Sequence, residues 1–150
     1  VAVATMAGER RPGEQITGGT PSTSAERLAE AARLFQQGEI VEAAKLYDAV
    51  LAENPDDVAA LTYKGWMLRN VGVQGEEPEL FERGVALIEQ ALEVDSGFAE
   101  AWFFRGLIYL RDEDDPDKAV EALRLALASD PGPEVEGAAR ELLAEIAQGE

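Results

Sequence analysis

Apolar residues along this 150-residue chain recur three and four positions apart, the period of an α-helix, in seven blocks parted by turn-forming residues. Leu28, Ala31, Leu34 and Phe35 make the first stripe, which Gly38 interrupts. The second runs from about Ile40 to Ala52 through Ala43, Leu46, Tyr47, Val50 and Leu51. Asn54-Pro55 ends it, because Pro55 cannot continue a helix and restrains Asn54. A third helix starts near Val58, holds Leu61, Gly65 and Leu68, and is expected to stop at Gly72. The fourth spans about Pro78 to Val94, with Pro78 suited to a first turn. The fifth begins near Ala99 and carries Trp102, Gly106 and Tyr109; the sixth carries Ala119, Leu123, Ala126 and Leu127 and ends at Pro131. From Pro133 to Gln148, a last amphipathic stripe contains Val135, Ala138, Ala139, Leu142, Leu143 and Ile146. Ser22, Thr23 or Ser24 can cap the first helix, and Asp115 before Pro116 reads as the cap of the sixth.

Small residues recur on these helices at matching places. Ala31 returns as Gly65 and Gly106, Ala43 as Gly84 and Ala119, and Val50 as Ala91 and Ala126. Small residues at fixed intervals on successive helices mean that the helices cross closely there. Ala31 and Gly65 are 34 apart but Ala43 and Gly84 are 41 apart, so seven extra residues lie between the helices of the second unit. They fall around Val73 to Glu79, and the composition of Gly72 to Glu77 predicts a loop. Gly84 and Ala119 are 35 apart, which places one more inserted residue in the third unit. The pattern resembles the tetratricopeptide repeat. Ala31, Leu34, Gly38, Ala43, Tyr47 and Pro55 carry the likeness in the first repeat; Trp102, Gly106, Tyr109, Ala119, Ala126 and Pro131 carry it in the third. Arg27, Glu30, Gly84 and Ser96 depart from it. The resemblance implies an all-α, right-handed α-solenoid: repeats at about 24–57, 58–98 and 99–132, then a capping helix at about 133–148.

Charge narrows the choice of partner. The chain has 13 basic and 30 acidic residues, a net charge of −17, and its first 23 residues contribute none of the excess. Such a surface repels phosphate backbones, so no nucleic-acid partner is expected. With no cysteine and no histidine, thiolate chemistry, disulfides, Cys/His zinc sites and histidine acid–base catalysis are excluded. The run Asp112-Glu113-Asp114-Asp115 lacks the alternation and distal Glu of a calcium loop. There is no Gly-rich phosphate loop and no nucleophile beside a base. Neither a cofactor nor catalysis is expected.

In repeats of this kind the first helices line a concave face. By that resemblance the groove set is Leu28, Ala32 and Phe35, then Thr62, Trp66, Arg69 and Asn70, then Phe103, Leu107, Leu110 and Arg111. The set is apolar for a surface, which suits a protein or peptide partner. Trp66 and Phe103 are expected anchors, and Arg69 and Arg111 are expected to meet ligand carboxylates. The competing reading has Trp66, Phe103 and Leu107 packing on the last helix or on one another. Some relatives clamp acidic chaperone tails with basic groove residues; here those positions hold Leu28, Ala32, Tyr63, Glu100 and Phe104, so the groove suits an apolar or amphipathic helix instead.

Residues 1–23 read as a flexible leader rich in Gly, Pro, Ser and Thr. The apolar run Val1–Ala7 falls far short of the ~20 residues of a membrane span. It reads either as the outer end of a membrane anchor or as a leader of no consequence; Arg10 and Arg11 fit the first poorly. An anchored leader with Arg11-Pro12-Gly13, a Gly/Thr/Pro linker, three repeats and a long second-repeat loop resemble the bacterial cytochrome c biogenesis tetratricopeptide proteins. That resemblance implies a chaperone outside the cytoplasmic membrane, taking the apocytochrome c carboxy-terminal helix to haem-lyase components. The alternatives are a cytoplasmic location, a general scaffold for another partner, and self-association through the groove.

Overall fold

The structure is a computed structural model and describes residues 23–149. Residues 1–22 of the leader, and the membrane-anchor reading with them, therefore lie outside the described residues. Seven α-helices and no strand occur among the described residues: α1 (Ser24–Gln36), α2 (Ile40–Glu53), α3 (Val58–Gln74), α4 (Pro78–Val94), α5 (Ala99–Arg111), α6 (Pro116–Ala128) and α7 (Pro133–Gln148). None is long and apolar enough to cross a membrane.

Local chemistry explains most helix ends. Thr23 caps α1 through a reciprocal pair with Glu26: the Glu26 N–H donates to Thr23 Oγ1 and the Thr23 N–H donates to Glu26 Oε1, each at 3.1 Å. The Asp57 carboxylate caps α3 by accepting from the Ala60 N–H, and Asp115 caps α6 by accepting from Lys118 N–H. Gly38, at φ +83, takes the left-handed step that turns α1 into α2.

One expected boundary is corrected. α3 does not stop at Gly72 but runs two residues further, and the turn before α4 is only Gly75-Glu76-Glu77. The added length goes into the two helices, and only Gly75-Glu76-Glu77 of the expected loop is a turn. α3 and α4 have 17 residues each, whereas α1 and α2 have 13 and 14. Seven residues are about two helical turns, so roughly one turn added to each arm lengthens the hairpin and keeps its packed faces in register. Gly72 is small for a tertiary reason: a Cβ there would lie 2.5 Å from the Phe81 nitrogen of α4.

The order of contacts gives the array its curvature. Each helix packs on the next, and α1 also meets α3, α3 meets α5, and α5 meets α7. Among the described residues no even-numbered helix contacts another even-numbered helix. The odd helices are thus closest together and line the inside of a curved all-α solenoid. Three apolar clusters fill it, centred on Ala31, Ala43, Tyr47 and Met67, on Leu61, Ile88, Ala91, Ala101 and Ile108, and on Ala119, Leu123, Ala139 and Ile146. α7 closes the array: Ala139 and Ile146 face inward, while Gly137, Arg140, Glu141 and Glu145 remain exposed.

Gly137 gives a direct check. It lies inside α7, and a Cβ there would meet nothing within 4 Å. Gly137→Ala should therefore stabilise the fold by about 0.5–1 kcal/mol, because glycine costs that much in a helix interior. Thermal unfolding should show a rise of a few degrees.

Candidate concave interaction face

Aromatic rings join the inner helices. Trp66 on α3 stacks on Phe104 of α5 with centroids 4.6 Å apart and planes 9° from parallel. Tyr63, one turn earlier on α3, meets Phe104 edge-on at 6.2 Å, and Phe103 tilts against it at 5.8 Å. The other seams are aliphatic. Leu28 and Phe35 of α1 share a cluster with Tyr63 and Met67 of α3, and Phe103 and Leu110 of α5 share one with Leu142 and Leu143 of α7. All these aromatic residues stay half-buried, so the seam is also the floor of the concave face.

A buried ion pair stands at one end of the aromatic seam. Arg69 Nε donates to Asp112 Oδ2 at 2.8 Å and Nη2 donates to Oδ1 at 2.6 Å, a two-point fork across the α3–α5 interface. Nη1 donates to Asn70 Oδ1 at 2.6 Å, and the guanidinium lies 4.9 Å from the Trp66 ring centroid. A second bridge starts on α5, where Arg105 reaches Glu89 of α4 and Glu113 after α5, each at 3.1 Å, and covers the Tyr109 ring at 3.9 Å.

Three of the expected groove residues are corrected by burial. Arg69 is only 8% exposed and spends its charge on Asp112, so it is not offered to a ligand carboxylate. Thr62 is fully buried, with Oγ1 lacking a hydrogen-bond partner among the described residues. Leu107 is buried as well. Neighbouring helices cover all three, which a helical wheel of one segment cannot register. Asn70 is half-buried and already accepts from Arg69. Leu28, Phe35, Trp66, Phe103 and Leu110 are half-buried seam residues, and only Ala32 and Arg111 of the set stand exposed. The expected groove set left out Tyr63, Phe104 and Asp112, although Tyr63 and Phe104 stand at groove positions where some relatives carry a basic clamp. The first two carried a signal, since Tyr63 precedes Trp66 by three residues and Phe104 follows Phe103. Asp112 carried none, because its partner lies 43 residues away.

Chemically the face is quiet. Burial pushes the Tyr63 hydroxyl up to about 12, and the Glu100 carboxylate, which accepts from it at 3.4 Å, adds to the shift. Tyr47 is pushed up to about 12 by burial alone. Both stay neutral hydroxyls at working pH. No group of histidine, cysteine, aspartate or glutamate side chains that could hold a metal ion occurs among the described residues.

Residues 25–72 and 79–134, over two thirds of the chain, match the protein family described as tetratricopeptide repeat. The chain belongs to the tetratricopeptide repeat family. No curated protein matches it. Tetratricopeptide repeats are in general protein–protein interaction modules. The two family matches break between residues 72 and 79, at the tip of the lengthened α3–α4 hairpin. In this tetratricopeptide repeat protein the gap between the matches falls at the one hairpin that is longer than its neighbours.

Proposed function

We propose that this domain is a non-enzymatic module that seats an amphipathic helix of a partner protein on its concave face. The observation that carries the reading is the half-exposed aromatic seam of Tyr63, Trp66, Phe103 and Phe104 on the inner helices. Rigid aromatic rings give large contact area at little entropic cost. With Arg69 satisfied internally, apolar contact does most of the work and Arg111 is the exposed inner-face cation. The carboxy-terminal helix of apocytochrome c belongs to this ligand class, and with it go a chaperone role alongside haem-lyase components and a place outside the cytoplasmic membrane. A scaffold for a different amphipathic helix uses the same face.

The test is calorimetric titration with amphipathic helical peptides, an apocytochrome c carboxy-terminal helix among them. Trp66→Ala should weaken binding about tenfold or more. Because Trp66 also packs on Phe104, Ala32→Asp supplies the cleaner variant. Ala32 is exposed, so its replacement should leave the melting temperature nearly unchanged while placing a charge under the apolar ligand. Binding unaffected by both substitutions would remove the concave face as the site. A peptide series in which only the apocytochrome helix fails would remove that partner alone.

A further inference from the structure

We propose that the projecting tip of the α3–α4 hairpin is a second docking surface, distinct from the concave face, for a partner segment that sets an apolar side chain between lysines or arginines. The extra turn on each arm carries this tip about 5 Å beyond the neighbouring hairpins. The two family matches end at residue 72 and resume at residue 79, so residues 73–78 of the tip lie between them.

The tip sets apolar side chains among charged ones. On the outer side of α4 a depression of about 980 Å³ has Pro78, Leu80 and Ala86 in its lining. On the same tip Val73 is 43% exposed, one of four large apolar side chains so placed among the described residues. The surface is held in shape rather than loose. The Glu77 N–H donates to the Gly72 carbonyl at 2.8 Å, and Gly72 lets the two helices close against Phe81.

The charge around this apolar lining selects the occupant. Glu76, Glu77, Glu79 and Glu82 also line the depression, and Arg83 is its single cation. None of the four carboxylates has an ion-pair partner among the described residues. Elsewhere on the surface Glu42, Asp48, Glu53, Glu89 and Glu136 each face a lysine or arginine of this chain. Glu134, Glu141 and Glu145 of α7 are unpaired too among the described residues, but at the tip four carboxylates line one depression against a single arginine, a charge that a basic partner segment complements. A second copy of this chain, with net charge −17, is the wrong sign.

The test is an NMR titration of the isotope-labelled protein with two synthetic helical peptides. They share one leucine face and carry lysine or glutamate on the other. The lysine peptide should shift amides from Val73 to Ala86, and the glutamate peptide should not. E77Q/E79Q/E82Q should weaken the lysine peptide about tenfold, and Val73→Ser should weaken it without any change of charge. E134Q/E141Q/E145Q removes the same charge from α7 and should leave this binding intact. Four results overturn the proposal: no binding by the lysine peptide, equal binding of the glutamate peptide, equal loss from the α7 variant, or shifts confined to Tyr63, Trp66 and Phe104. The last would leave the concave face standing as the only peptide site.

Discussion

Gly84→Ala is expected to cost about 3 kcal/mol, the upper end for forcing an extra methyl into a packed interior, and to lower the melting temperature by roughly 10 °C. Gly84 lies where α4 crosses α3. A Cβ there would sit 2.5 Å from the Gly65 carbonyl oxygen and 2.6 Å from the Arg69 nitrogen. Both obstacles are backbone atoms inside a helix, so no side-chain rotation relieves them. The helices must part, and parting them loosens Ile88 and disturbs the residue that makes the buried ion pair. The gain in helix propensity from glycine to alanine, about 1 kcal/mol, offsets only part of this. Gly106→Ala is a graded control, because its Cβ would meet Leu123 side-chain carbons at 3.0 Å, which can shift. Thermal and urea unfolding should order the three variants Gly84, Gly106, Gly137 from most to least harmful. A Gly84→Ala protein melting within two degrees of the parent would refute the close crossing.

Asp112→Ala should be as damaging, at about 3–5 kcal/mol, because it strands the buried Arg69 charge. The two side chains are 10% and 12% exposed, so water cannot replace the lost carboxylate. Arg69→Met combined with Asp112→Leu removes both charges and should cost much less than Asp112→Ala alone. Such a result assigns the penalty to an unpaired charge and not to lost volume. The same pair should resist salt: raising sodium chloride to half molar should leave its contribution in place, whereas exposed pairs such as Glu42–Lys45 and Glu136–Arg140 are screened. If Asp112→Ala and the double variant lose the same stability, the penalty lies in lost packing and not in an unpaired charge.

These two sites mark different kinds of legibility. Gly84 was visible in the sequence as a small residue in register with Ala43 and Ala119, and its departure from alanine was noted as an irregularity. The structure turns the irregularity into a requirement, because backbone meets backbone at that crossing. Arg69 was visible only as a helical residue on the inner face. Its engagement with Asp112 joins two segments that no local pattern links.

What the sequence determined by itself was local in origin. A cap among Ser22, Thr23 and Ser24, and Asp115 before Pro116, start helices through contacts three residues long, Gly38 turns the chain through its own φ, and the 3.6-residue period assigns each stripe to a core face. From these came the seven helices; the inner layer was assigned only through the resemblance to the tetratricopeptide repeat. Tertiary structure alone decided whether Gly72 ends a helix or packs under Phe81, and whether Thr62, Arg69 and Leu107 face a partner or a neighbouring helix. Periodicity states which side of a helix is inward. How deeply a position is buried depends on the size and placement of residues on neighbouring helices, from 9 positions away for Gly72 and Phe81 to 43 for Arg69 and Asp112.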